Sequence, residues 1–266
     1  MVVIWFCRYF IDKKIYKLNV KCIIYIDIII NNSQAPKNSG SRYCNYKKTN
    51  SLVLMAISDA NCKFILIDVG GEGRRSDGGI FEESEIGKRF IENKMCLPQP
   101  SCIEENGPKI PYFLVGDEAF ALTNFMMRPY PRRGLLNEEK EVLNYRICRP
   151  RRIIECSFGI LSSKFRIFRS LAVISVEKWR LIIQAAVCIH NFILMNGGSA
   201  NIKNKKNRAK MQKSFEKSIF HQSAGVNYCV PNTKKSAFQI RDYLAKYFCN
   251  EGAVPWQWQK VYNKDY

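Results

Sequence analysis

Histidine is almost absent from this 266-residue chain: His190 and His221 are the only two. That argues against a histidine triad or a His-rich metal centre, and leaves carboxylates to carry any catalysis. Acidic residues are also scarce, 23 Asp and Glu against 42 Lys and Arg, which gives a net charge of +19. Such an excess favours an anionic partner, nucleic acid or an acidic membrane surface, and says nothing about fold. No apolar run approaches the ~20 residues of a membrane-spanning helix. The opening MVVIWFCRYF has neither a positive n-region nor a small-residue cleavage site, so no signal peptide is expected. The eleven cysteines are odd in number, scattered and without a CxxC pair. They read as reduced, mostly packed thiols of an intracellular protein, not as a disulfide framework or a zinc site. The glycine-rich stretch Gly70–Phe81, GGEGRRSDGGIF, lacks the third glycine of GxGxxG and a clear strand–helix–strand unit around it, which removes the dinucleotide-binding reading.

What is present has the pattern of a mixed α/β domain. Cys22–Ile30, CIIYIDIII, is a β-branched run fit for a central strand, with Asp27 inside it. A charge there is costly to bury unless paired or holding a cation; the alternative is a solvent-facing Asp. Ser51–Asp59 and Lys63–Gly70 are two further strands around a tight turn at Ala60-Asn61-Cys62, so the chain begins as an antiparallel meander. Asp77 lies in the glycine-rich loop, either as a site carboxylate or as a cap on a short helix from Glu82 to about Ile91. Asn93–Lys109, with Pro98, Pro100 and Pro108, reads as a surface excursion. In PYFLVGDEAF, Tyr112–Val115 reads as a buried strand ended by Gly116, with Asp117 as the first charge beyond. Ligands bind at the carboxyl ends of strands in α/β sheets, which suits Asp117 to metal or proton chemistry; the alternative is a turn cap.

Beyond it the sequence predicts a loop with a short helix at Asn137–Val142, then a helix over Arg149–Phe168 that Pro150 begins. Ile154, Phe158, Leu161 and Phe165 form one apolar stripe on that helix. Glu155 sits at its edge, one turn past Arg151, in place for a surface ion pair. Val176–Met195 is a second helix, apolar on most sides and therefore core, where His190 and Asn191 read as hydrogen-bonded packing residues. Asn201–Lys217 holds seven Lys or Arg against one Glu, a solvated basic linker or a nuclear-import or DNA-phosphate segment. Ser236–Asn250 reads as an amphipathic helix.

A series of segments then resembles, in order, the motifs of PIF/Harbinger-type transposases and the nucleases derived from them. They are QAPKNSG (Gln34–Gly40), NYKKTNSLVLMAISDA (Asn45–Ala60), VGGEGRRSDGGIF (Val69–Phe81), LVGDEAF (Leu114–Phe120), RRIIECSFGIL (Arg151–Leu161) and CIHNFI (Cys188–Ile193). The likeness runs from about Cys22 to Asn196, and RDYLAKYF…EGAVPWQ (Arg241–Gln257) is similar to tails of some members. The resemblance implies an RNase H-like fold, a mixed sheet of about five strands flanked by helices. It also implies a DDE endonuclease site. Asp27 takes the place of the first Asp, Asp117 of the second in the GD-x-x-F motif, and Glu155 of the Glu in RR-x-x-E-x-x-FG. Asp77 matches a further acid treated as a metal ligand. The implied cofactor is Mg²⁺ or Mn²⁺, which hard carboxylate oxygens suit, and the implied substrate is DNA.

The expected organisation is an N-terminal remnant at 1–21 without a helix-turn-helix reader, a DDE endonuclease domain at 22–196, a basic linker at 197–235 and a helical tail at 236–266. A separate DNA-binding partner protein would supply the missing reader, and a nuclear location is expected. Ile28, Ile29 and Ile30 stand where the family pattern has a glycine and then a histidine after the first Asp, and Pro150 stands where an alanine is usual. These departures keep a second expectation open: a catalytically degenerate DNA-binding or interaction protein derived from a transposase.

Overall fold

The computed structural model describes residues 20–26 (as backbone), 38–44, 48, 50–95, 97–132, 134–169, 174–196 and 234–263. Asp27 and the Ile28–Ile30 run, residues 1–19 of the expected N-terminal remnant and residues 197–233 of the expected basic linker lie outside them, whereas residues 20–21 of that remnant belong to the first strand.

The meander forms as expected. Strand β1 (Val20–Ile26) runs antiparallel to β2 (Leu52–Ser58), with Cys22 opposite Ser58 and Ile26 opposite Leu54. Strand β3 (Phe64–Glu72) returns antiparallel to β2. The turn between them is held by Asp59, whose Oδ1 accepts the N–H groups of Asn61 and Lys63, both at 2.9 Å. Cys62 completes it in the left-handed region at φ 62°. A short hairpin, β4 (Ser101–Cys102) with β5 (Lys109–Ile110), stands apart, so Asn93–Lys109 is not merely a surface excursion. Strand β6 (Phe113–Val115) then joins β1 in parallel, and β7 (Met126–Met127) joins β6 in parallel. The sheet has five strands in the order β3-β2-β1-β6-β7.

All seven residues of β2 are buried, because both faces of the sheet are covered. Alternation survives in where the side chains go. Leu52, Leu54 and Ala56 join one core cluster with Ile154, Phe158, Leu161, Trp179 and Ile183, whereas Met55 and Ile57 join another with Phe81, Ile86, Phe90 and Phe120.

The short helix expected from Glu82 is two helices, α1 (Asp77–Glu83) and α2 (Glu85–Ile91), broken at Ser84. Ser84 is extended there, donates its hydroxyl to the Phe81 carbonyl and accepts the Gly87 N–H, so one side chain closes α1 and caps α2. Ser76 caps α1, and Asp77 is therefore its first residue, not a loop residue capping a later helix.

The largest correction concerns Pro150. Instead of a loop, a short helix and a new helix starting at that proline, α3 runs unbroken over Glu138–Lys164 with Pro150 inside it. Asn137 caps the start by accepting the Lys140 N–H at 3.1 Å, and Glu138, Glu139 and Glu141 suit the positive end of the dipole. An interior proline removes one helix hydrogen bond and crowds the carbonyl four residues back, at a cost of about 3 kcal/mol. Tertiary burial on its N-terminal side offsets this. Val142, Leu143, Tyr145 and Ile147 enter a core shared with Phe113, Val115, Met127, Leu244 and Phe248. The Arg146 guanidinium lies 4.5 Å from the Phe248 ring centroid and donates to Gln257.

Those partners belong to α5 (Lys234–Cys249) and α6 (Pro255–Tyr262), which pack on α3. Helix α4 (Val176–Asn196) covers the meander. It is not core on most sides: Trp179, Ile183, Ala186, Val187 and His190 are buried, while Leu181, Ile189, Phe192 and Met195 are exposed. His190 Nε2 donates to the Cys62 carbonyl at 2.8 Å, and the Asn191 amide accepts the Phe64 N–H and donates to the Phe64 carbonyl. Both are packing residues, as expected. The cysteines among the described residues are free, but Cys102, Cys156 and Cys188 are exposed and not packed. Among the described residues no helix is long and apolar enough to cross a membrane.

Pro150→Ala is expected to stabilise the fold by about 1–3 kcal/mol, read as a raised urea midpoint with an unchanged slope. A second expectation concerns acid. Burial holds the His190 imidazole below its ordinary 6.5, against the opposing pull of its bond to the Cys62 carbonyl. The unfolded chain therefore takes up the proton first, so this contribution is present above pH 6.5 and is lost as pH falls through the lowered folded value. Denaturation series from neutral to about pH 5 should show a steeper acid loss for wild type than for His190→Gln.

Candidate functional site

The sheet delivers Asp117 at the carboxyl end of β6. The chain leaves the strand at Gly116, whose N–H donates to the Met127 carbonyl at 2.9 Å. A Cβ at Gly116 would come within 2.8 Å of the Phe120 ring, so glycine lets the loop fold back over its own strand. Asp117 Oδ1 accepts the Ala119 N–H at 2.9 Å, and the Phe120 N–H donates to the Asp117 carbonyl at 3.3 Å. The turn-capping role expected as an alternative is thus real, and it fixes the carboxylate in place.

Two other elements grip the same loop. Arg128, just past β7, donates through Nη1 to the carbonyls of Glu118 and Phe120, both at 3.0 Å. From the other side, Gly78 in α1 lies so close that a Cβ would come within 2.7 Å of the Ala119 carbonyl oxygen. Asp77 is the neighbour of that contact point. It stands near the Asp117 loop but does not line the cleft described next.

Helix α3 supplies the opposite wall. Asn144, Cys148, Arg151, Arg152 and Glu155 recur at steps of three and four and so share one face. With Asp117, Glu118, Ala119, Pro129 and Arg132 they line a cleft of about 500 Å³. The expected Arg151–Glu155 pair is present, Nη2 to Oε1 at 3.3 Å, with both side chains partly exposed, so it adds little stability. Burial pushes the Cys148 thiol up from its ordinary value, and the positive charges of Arg151, Arg132 and Arg152 oppose this.

Asp117 and Glu155 are therefore brought together, Asp77 is held beside the Asp117 loop, and Asp27 lies outside the described residues. Among the described residues no group of three His, Cys, Asp or Glu could by itself hold a metal ion. The donor chemistry suits a hard divalent cation, since the carboxylates of Asp117, Glu118 and Glu155 line one cleft. Arg128, Arg132, Asn144, Cys148 and Arg152 were not singled out as site residues from the sequence. Of these, Asn144 and Cys148 join Arg152 and Glu155 on one helical face only once the helix is drawn through Pro150.

Residues 26–191, more than half of the chain, match the family described as DDE superfamily endonuclease. The chain belongs to that family. No curated protein and no solved structure matches it. The matched span begins at the last residue of β1 and ends at Asn191, and so takes in all four candidate carboxylates. Membership makes the chain a transposase-like nuclease by family, of a superfamily that generally uses divalent metal ions and acts on DNA.

Removing the Arg128 side chain leaves two loop carbonyls without their donor, at a cost of about 1–3 kcal/mol. In Arg128→Ala, hydrogen exchange should quicken at the Ala119 and Phe120 amides and stay unchanged in α4.

Proposed function

We propose that this chain is a nuclease of PIF/Harbinger-type transposase descent that hydrolyses DNA phosphodiester bonds with the help of a divalent cation. The observation that carries the reading is that Asp117, from the end of β6, and Glu155, from α3, line one cleft whose remaining charged wall is largely arginine. The RNase H-like part of the reading is supported by a sheet with three antiparallel strands followed by two parallel ones, flanked by helices.

In this reading Asp117 and Glu155 hold the cation together with Asp27, and Asp77 supports the Asp117 loop. A bound Mg²⁺ or Mn²⁺ would neutralise phosphate charge and sharpen a water into a nucleophile. The protein's own part is to hold the carboxylates still and to orient the DNA strand. Asp117 is fixed through its Oδ1 bond and the Arg128 clasp, and Glu155 through Arg151. The basic excess of the chain would gather the DNA backbone, with binding that weakens steeply as salt rises. The basic segment at 197–235 fits a nuclear address, and a separate protein would bring sequence recognition.

The second reading, a DNA-binding protein that no longer cuts, is favoured by one specific feature: Ile28–Ile30 directly after Asp27, where the family pattern carries a glycine and a histidine. A nicking assay on supercoiled plasmid with Mg²⁺ or Mn²⁺ separates the two. Asp117→Asn and Glu155→Gln are each expected to lower nicking by more than about a hundredfold, beyond what losing a metal's outer-shell partner costs. Equal background in wild type and both variants, with DNA binding retained, would select the non-cutting protein.

A further inference from the structure

Of the arginines lining the cleft, the carboxylate chemistry uses only Arg151, through its pair with Glu155. Arg151 and Arg152 come from α3, and Arg132 from the segment after β7, so two separate elements bring arginines to the lining of one cleft. Arg151 is shared with Glu155, whereas among the described residues Arg152 makes no salt bridge. Arg132 and Arg152 are exposed, so the wall is open to a long ligand and not only to a small one. Guanidinium forks match phosphate oxygens in pairs, and a cleft of about 500 Å³ lies in the range of ligand sites.

We propose that Arg132, Arg151 and Arg152 form a seat for a backbone phosphate of nucleic acid, with Cys148 at its floor. The proposal rests on the nuclease reading for the choice of polyanion, but the seat needs neither a metal ion nor cleavage. Cys148 sits one turn before Arg151 and Arg152 on the same helical face, half-buried and lining the same cleft. A strand lying across the arginines therefore covers the thiol. The same three cations act on Cys148 electrostatically, which agrees with their surrounding it. Cys102, on the β4–β5 hairpin, is exposed and does not line the cleft, so it serves as an internal reference.

The test is alkylation of the folded protein by iodoacetamide at mildly alkaline pH, with EDTA present, read cysteine by cysteine by mass spectrometry. Three arms are compared: no ligand, a short DNA duplex, and inorganic phosphate at the same phosphate concentration. The duplex at ten times its Kd should slow Cys148 labelling about tenfold and leave Cys102 unchanged. The double variant Arg132→Gln/Arg152→Gln should lose most of that protection, and the salt dependence of DNA binding should flatten by about 2 in slope. Asp117→Asn should keep the protection. If the duplex leaves Cys148 labelling unchanged, or protects the double variant as well as wild type, there is no such seat. Equal protection by inorganic phosphate would make it a free-anion site and overturn the backbone assignment. Because EDTA is present throughout, a chain that shields Cys148 yet never cuts keeps this seat and loses only the nuclease reading. A chain that cuts without shielding does the reverse.

Discussion

A single buried amide sets the geometry on which the cleft depends. Asn144 accepts the Tyr130 N–H through Oδ1 at 2.7 Å and donates through Nδ2 to the Tyr130 carbonyl at 3.0 Å. Both backbone groups of one residue past β7 are thereby satisfied by one side chain of α3, in the manner of a ladder rung. Each bond is worth only about 1 kcal/mol net, but leaving buried partners unpaired costs more. The larger consequence is positional. The pair fixes α3 lengthwise and in rotation against the strand exits, and Glu155 then lies about three turns further along the same face. The carboxylate of Asp117 is set by the sheet, that of Glu155 by the helix, and Asn144 ties the two frames together.

The same device recurs on the other helix. Asn191 pairs with both backbone groups of Phe64 at 2.9 and 2.8 Å, next to the His190 bond to the Cys62 carbonyl. Helix α4 is thus locked to the start of β3, as α3 is locked beyond β7. His190 and Asn191 of the CIHNFI segment thus have a structural explanation, and a polar pair that could be mistaken for a chemical site is a docking point for the meander. His190 Nε2 and both ends of the Asn191 amide are used within the fold, which leaves the charged chemistry to the cleft.

Strands β1, β2, β3 and β6 were legible because β-branched and aromatic runs bounded by turn residues have few other uses, and Asp59 and Cys62 are ordinary turn chemistry. Strands β4, β5 and β7, two residues each, are too short to show a pattern. Helix α4 was legible in extent but not in orientation, because an apolar sequence does not say which of its sides finds a partner. Pro150 was misleading: local propensity makes it a helix start, yet Val142, Leu143 and Ile147 bury enough surface against α5 and the sheet to carry the helix through it. Ser84 failed in the opposite direction, ending a helix that periodicity alone would have continued. At the cleft, Asp117 and Glu155 could be reached by motif. The arginine wall could not: Arg151 and Arg152 fall inside the expected helix, but nothing local says that Arg132, from the segment after β7, comes to the same cleft.

The cleft's own charges carry the argument one step further. Its lining holds three arginines and three acids, Asp117, Glu118 and Glu155, so it is close to balanced even though the chain as a whole is +19. A balanced cleft needs no cation for stability; Arg151 already answers Glu155. Adding a divalent cation to the acids leaves an excess of positive charge beside the arginines, and a phosphate offsets it. Adding a phosphate to the arginines withdraws their charge from the acids, which a cation then restores. Each ligand therefore relieves the imbalance created by the other, and by linkage the gain in affinity is the same in both directions. In the proposed nuclease such a site would hold both ligands together better than either alone, which would confine hydrolysis to the moment when nucleic acid is present.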